Sequence, residues 1–226
     1  MWPARPANPG RYGPAPSIPV GWPRRAAKED RHFPPGPFRV AVVDSAATGA
    51  EPDDAEIVAV LGLQTHEMDD EAMAALDREL IRLALSNPQK LARVAAENLS
   101  GTDALRRVAA AFALGRAAEA AEPDLVALIE ATLVREGAVA HDDLRYAIAT
   151  ALLHVWGRND DETSAAERRY ATDPSPTLRL AAAMSLALST PEPLPSFLVP
   201  MVRKLRVDAE PAVQSWAEHA LSCVQE

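Results

Sequence analysis

From about residue 67 onward, apolar side chains recur every three or four residues, the period of an α-helix with one buried face. Acidic residues or proline stand at the start of most of these stretches. These residue types suit a helix N-terminus, because its first amide groups are unpaired and its dipole is positive there. Connections of two to five residues make consecutive helices antiparallel neighbours. The pattern predicts nine helices, over residues 69–86, 88–99, 103–118, 123–136, 141–157, 162–172, 175–189, 194–207 and 210–224.

The first 37 residues have a different pattern, since they hold ten of the chain's 20 prolines. Proline lacks a backbone donor and fixes φ, so residues 1–37 are predicted to form an extended, proline-rich arm. Trp2 and Trp22 are each followed by proline. They belong either to a disordered arm or to one that docks its tryptophans into a groove of this chain or of a partner.

Residues 38–66 are predicted to be an adapter segment between the arm and the helices. Residues 38–43 have the composition of a short strand. Residues 56–63 fit either a second strand or a helix that Asp53 or Asp54 would cap. The sequence leaves these two alternatives open.

A pair of residues, alanine or serine followed by leucine, recurs late in every second predicted helix. The leucines are Leu114, Leu152, Leu186 and Leu221, at spacings of 38, 34 and 35 residues. The positions four and eight residues earlier are apolar in three of the four copies, which gives each of those helices one apolar stripe. A period of this length with two helices in each unit predicts stacked hairpins that share a continuous core.

The last two copies agree most closely, and there the chain resembles the HEAT-repeat family over roughly residues 88–225. This resemblance implies an all-α fold, a right-handed α-solenoid of about four helix pairs, with residues 67–226 as the repeat domain. The residues of the last copy that carry it are Leu194, Leu198, Val202, Leu205, Asp208, Pro211, Val213, Ala217 and Leu221.

The same resemblance implies a polar ladder, in which a turn aspartate and an arginine six residues later join neighbouring repeats. Asp173 and Arg179 have this spacing. Arg107 and Arg145 stand at the equivalent helix position without such an aspartate. These arginines are predicted to be structural, and the alternative is a basic row that binds an acidic ligand.

Composition and charge narrow the possible partners. Hydrophobic residues make up 48% of the chain and aromatic residues 5%, so the predicted core is aliphatic and its helices approach closely. Residues 1–40 carry seven basic and two acidic side chains, a net charge of +5. The net charge of the whole chain is −9, so residues 41–226 carry a net charge of −14. Because duplex DNA is bound largely through its phosphates, an acidic body argues against nucleic acid as a partner.

The location of the protein is predicted from cysteine content and the lack of long apolar stretches. Cys223 is the only cysteine, so no disulfide forms within the chain. The chain begins with prolines and Arg5 where a signal peptide needs apolar residues, and no stretch reaches the roughly 20 apolar residues of a membrane span. We expect a cytoplasmic protein without a membrane span.

The sequence contains no motif of a familiar catalytic or metal site. The five histidines do not form a helical zinc pair, and there is no nucleophile elbow, phosphate loop or dinucleotide fingerprint. We therefore expect no catalytic residues, no metal and no cofactor. HEAT-like DNA glycosylases are similar to this chain in length and architecture, and Trp156 and Asp160 would be the aromatic and acidic side chains of such a site. The acidic body argues against that activity. A HEAT-like lyase is a further enzymatic alternative.

The favoured function is a non-catalytic scaffold or adaptor whose solenoid surface binds another protein. The alternative is a structural subunit that its N-terminal arm holds in a larger assembly. Trp216 stands where earlier copies have alanine, and it is either a terminal cap or an exposed anchor. The predicted partner contacts are Trp2, Trp22, Phe112, Tyr146, His154, Met184, Trp216 and His219.

Overall fold

A computed structural model describes residues 51–64, 69–157, 160–188 and 196–222. Within these ranges the chain is all-α, with ten helices and no strand. The predicted proline-rich arm with Trp2 and Trp22, and the predicted strand at 38–43, lie outside the described residues. The helices are α1 (Asp54–Leu61), α2 (Asp70–Ser86), α3 (Pro88–Leu99), α4 (Ala104–Ala120), α5 (Pro123–Gly137), α6 (Asp142–Trp156), α7 (Asp160–Tyr170), α8 (Pro176–Leu188), α9 (Val199–Leu205) and α10 (Pro211–Ser222).

Most helices begin at the residues that the sequence pattern indicates. The exception is α9, which was predicted to begin at residue 194 and begins at Val199, because residues 196–198 form a turn. Asp53, Asp69, Asn87 and Asp103 are N-caps whose side chains accept backbone N–H groups of the first turn. Proline occupies the first position of α3, α5, α8 and α10, where its missing N–H group costs no hydrogen bond. Of the two alternatives for residues 56–63, the structure contains the helix, and its cap is Asp53.

The even-numbered helices from α4 to α10 pack in series, α4 against α6, α6 against α8, and α8 against α10. Each also packs against the helix that precedes it in the chain. Ala109, Ala147 and Ala181 lie at equivalent positions of α4, α6 and α8 and are buried. Their small side chains allow the close approach that a core poor in aromatic residues requires.

The N-terminal helices complete this row. Both α2 and α3 pack against α4, and α1 contacts α2, α3 and α4. Its side chains Ile57 and Leu61 have no solvent exposure. The packed helices thus begin before residue 67, where the repeat domain was predicted to start.

Candidate functional site

Three arginines occupy the fourth position of α4, α6 and α8, which places them at the same end of three helices that pack in series. They are Arg107, Arg145 and Arg179, and with the acidic groups that they contact we call them the charged edge. Each is partly exposed and each lies within 4 Å of a carboxylate from a later turn or helix. The charged edge is therefore a row of ion pairs that crosses from one helix pair to another.

Arg179 joins the turn before α8 to the turn before α10. Its Nε and Nη2 donate to the two carboxylate oxygens of Asp208 at 2.7 and 3.0 Å. Its Nη1 donates to the backbone carbonyls of Asp173 and Pro174 at 2.8 and 2.9 Å. Burial raises the pKa of Asp208, but hydrogen bonds, chiefly from Arg179, outweigh burial and hold that pKa below its usual value.

The contact between Asp173 and Arg179 runs through a backbone oxygen. The Asp173 carboxylate instead accepts the backbone N–H of Ser175 at 2.8 Å, within its own turn. The next turn repeats this pattern, since Gln214 donates its side-chain amide to the backbone oxygen of Asp208. The carboxylate that pairs with Arg179 is thus that of the following turn, a partner that spacing within one repeat does not reveal.

Arg145 and its neighbour Tyr146 are less completely paired than Arg179. Arg145 Nη1 lies 3.0 Å from Glu210, but its buried Nε has no hydrogen-bond partner in the described part of the chain. The hydroxyl of Tyr146 is also buried and also lacks one there. Burial raises the pKa of Tyr146 to about 12, so the hydroxyl stays protonated and remains a donor at neutral pH. Arg145 and Tyr146 thus each carry a buried donor that has no acceptor among the described residues.

Arg107, at the start of the row, makes one hydrogen bond and one longer ionic contact. Its Nε donates to the backbone oxygen of Leu99 at 2.8 Å, and its Nη2 lies 3.8 Å from Glu136. Glu136 comes from the C-terminal turn of α5, so this pair also joins neighbouring helix pairs.

The predicted partner contacts divide by exposure. Phe112 and Tyr146 are partly buried, and His219 is exposed. Met184 has no exposure, His154 is 8% exposed and Trp216 is 4% exposed. We therefore reassign Met184, His154 and Trp216 to the core. Met184 lies in α8, whose residues 177–187 are buried on nearly every side. Trp216 packs edge-on to His219, with ring centroids 6.0 Å apart.

His154 belongs to a buried network that sequence reasoning missed. Arg116 of α4 donates to both carboxylate oxygens of Asp77 on α2, at 2.7 and 2.9 Å, and also to those of Glu119, at 3.0 and 3.1 Å. His154 Nδ1 lies 2.7 Å from Glu119 Oε1. Burial raises the pKa of Glu119, but the hydrogen bond and charge of His154 and the charge of Arg116 outweigh it, so the pKa is lowered. The only sequence feature pointing to this network is a charged pair three residues apart in an otherwise alanine-rich helix.

Trp156, the aromatic residue of the glycosylase alternative, is 3% exposed. It stacks on Tyr170 with ring centroids 5.2 Å apart, and both side chains donate to Glu130 Oε1 at 3.2 Å. An indole held in this way is not available to stack on a nucleobase. This packing does not favour the glycosylase alternative.

Across the ranges that the structure describes, no group of three or more histidine, cysteine, aspartate and glutamate residues could hold a metal ion. None of the described helices is long and apolar enough to cross a lipid bilayer. The side chains of the charged edge and of the Arg116 network contact one another across helices. A ligand could interact with them through hydrogen bonds and ion pairs.

Comparison of the chain with protein-family models, with curated proteins and with solved structures found no match in any of the three.

Proposed function

We propose that this chain is a non-catalytic scaffold that binds another protein, built as a right-handed solenoid of about four HEAT-like helix pairs. Two features support this architecture. The anchor leucines recur every 34–38 residues, and the helices that carry them pack in series. Repeats that contact only their neighbours form an extended surface suited to a protein partner.

The binding surface that we propose is the charged edge together with Tyr146. The observation that carries it is the pair of buried donors, Arg145 Nε and the Tyr146 hydroxyl, that lack acceptors among the described residues. Leaving a buried donor unpaired costs about 1–3 kcal/mol. The Arg145 and Tyr146 side chains are partly exposed, so a small side-chain movement would let carbonyl or carboxylate oxygens of a partner reach the two donors and recover that free energy.

Replacing Tyr146 with phenylalanine separates this function from a structural role. Tyr146→Phe removes an unpaired hydroxyl, so we expect the free energy of unfolding to stay unchanged or to rise by about 1 kcal/mol, while the partner binds more weakly. The matched control is Tyr170→Phe. The Tyr170 hydroxyl donates to Glu130, so this variant should lose about 1 kcal/mol of stability and keep its partner.

The measurement is urea denaturation of both variants, followed by calorimetric titration with the protein that the wild-type chain captures from native lysate. If Tyr146→Phe destabilises the fold and leaves affinity unchanged, the charged edge is not the binding surface. If no protein is retained by the wild-type chain, the scaffold proposal fails.

A further inference from the structure

The surface of α2, α3 and α4 that α1 covers has an apolar floor and a basic rim, and we call it the α1 cradle. Three apolar side chains of α1 face the floor: Ile57 and Leu61 have no exposure and Val60 is 8% exposed. They occupy positions i, i+3 and i+4, the spacing with which an amphipathic helix fills a hydrophobic groove. The contact therefore has the form of a helix bound in a groove.

The rim of the α1 cradle is formed by Arg82, Lys90 and Arg93, three basic side chains in a body of net charge −14. Arg93 Nη2 donates to both carboxylate oxygens of Asp54 at 2.6 and 2.7 Å. Arg82 Nη2 donates to Glu56 at 2.6 Å. The cradle thus matches acidic residues in and near the first turn of the helix that it holds.

The third basic residue, Lys90, holds the chain just before α1. Its ammonium group lies 2.8 Å from the carboxylate of Glu51 and donates to the backbone oxygen of Pro52 at 3.1 Å. The Glu51 carboxylate also accepts a hydrogen bond from the side chain of Asn87 at 2.7 Å. The basic rim therefore extends past the end of the helix and recognises an acidic residue that precedes it.

The rim arginines also have partners on their own helices. Arg82 Nε donates to Glu79 at 2.8 Å, and Arg93 Nη1 donates to Glu97 at 3.1 Å. Removing α1 therefore leaves neither arginine without a carboxylate. The side chains of Arg82, Arg93, Asp54 and Glu56 are 40–56% exposed, so their ion pairs are screened by water and salt.

The helix α1 is itself short. It has eight residues, fewer than the roughly 12–15 that an isolated helix needs to persist in water, so its structure depends on the cradle. A segment of this kind is held by three apolar side chains and exposed ion pairs, and by itself it is too short to persist as a helix.

We propose that the α1 cradle is a second interaction site, which binds an acidic amphipathic helix of a partner protein in place of α1. The helix that it accepts has apolar residues at i, i+3 and i+4, with carboxylates in and before its first turn. This site is separate from the charged edge and stands on the α1 contacts alone. If the cradle does not bind a helix, the scaffold proposal still stands. If the charged edge does not bind a partner, the cradle proposal still stands.

The test uses the full chain with Ile57→Asp, which weakens the attachment of its own α1, and a fluorescent peptide of residues 51–64. Fluorescence anisotropy should show saturable binding to this variant. Binding to the wild-type chain should be at least about tenfold weaker, because its α1 competes at a high effective concentration. A peptide with Asp54→Arg should bind about fivefold to tenfold more weakly, since it loses the ion pair with Arg93 and brings two cations together.

A charge exchange provides the matched control. The peptide with Asp54→Arg should regain affinity for a full chain that carries Ile57→Asp and Arg93→Asp, which a general loss of folding would not produce. Absence of saturable binding to a variant with native helix content overturns the proposal. So does wild-type dimerisation that Asp54→Arg abolishes, because the occupant would then be a second copy of the chain.

If Ile57→Asp does not fold, hydrogen exchange of the wild-type chain decides the question. Amides of α1 should exchange by local opening, at least about tenfold faster than those of α4. If α1 exchanges as slowly as α4, it is a permanent part of the core and the proposal is wrong.

Discussion

Glu167 carries its carboxyl group inside the molecule, where it is 1% exposed. The hydroxyl of Ser185 on α8 donates to it at 2.8 Å. Burial raises the pKa of Glu167 from its usual 4.5 to about 7, an effect that the Ser185 hydrogen bond and the charge of Arg168 oppose without outweighing it. At neutral pH a single side chain thus links protonation to the packing of α7 on α8.

Glu167→Gln is expected to change how stability depends on pH. The folded state holds the proton more tightly than the unfolded state, so this stabilisation is present below about pH 4.5 and is lost as pH rises through about 7. The loss is about 3 kcal/mol for a pKa difference of this size. Glutamine accepts the same hydrogen bond without ionising, so the variant should be stabilised relative to wild type at pH 8 and not at pH 4.

Urea denaturation at both pH values, with the exposed Glu97→Gln as control, tests this expectation. Equal pH dependence of the wild type and Glu167→Gln would show that Glu167 does not titrate in this range.

At the scale of helices, α4 and α6 approach each other closely at Gly115. A Cβ atom built on Gly115 would lie 3.0 Å from the Cα of Ala151 and 3.2 Å from His154 Cδ2. The Cα of Ala151 is a backbone atom, so it cannot move away by rotation of a side chain. Glycine is therefore required here by the distance between two helices, although alanine is the better helix former.

Gly115→Ala should lower the free energy of unfolding by about 1–3 kcal/mol, because the two helices must separate. The control is Gly62→Ala. Gly62 is exposed at the end of α1 with φ −77°, a conformation that alanine adopts without strain, so its effect should stay within about 0.5 kcal/mol. Thermal or urea denaturation measures both, and a stabilised Gly115→Ala would contradict the observed spacing.

The network around Arg116 joins α2, α4 and α6. Arg116→Met should cost about 1–3 kcal/mol, because Asp77 and Glu119 lose their shared cation, although Glu119 keeps its contact with His154. A second change, Glu119→Gln in the same chain, should restore part of this loss by removing the more deeply buried of the two carboxylates. Urea denaturation of the single and double variants measures this coupling, and strict additivity would mean that the two residues act independently.

At the scale of the whole molecule, α4, α6, α8 and α10 pack in series. Under the scaffold proposal, the surface that these helices form holds the partner. Under the alternative of a subunit woven into a larger assembly, the first 37 residues hold it instead.

Deleting residues 1–37 from the chain distinguishes these two functions. The scaffold proposal expects the shortened chain to keep its partner in a pull-down and to keep its helix content by circular dichroism. Loss of the partner from a chain that remains folded would favour the woven subunit.

How much the sequence predicts depends on how local each feature is. The boundaries of α2 to α8 follow from periodicity and from residues such as Asp69, Asp103 and Pro123, because capping acts within one turn. Residues 56–63 were undecided, because Ile57, Val60 and Leu61 fit a buried helix face but their short stretch also fits a strand. Contacts with three other helices decide that question.

The sequence by itself determined that the segments of α2 to α8 and of α10 are helical, since periodicity and capping act between residues a few positions apart. Only the tertiary structure decided that Arg179 takes the carboxylate of Asp208, that Arg116 meets Asp77, and that Met184 is enclosed. These partners lie on different helices, and whether two such side chains meet depends on how the helices pack, which no local pattern encodes.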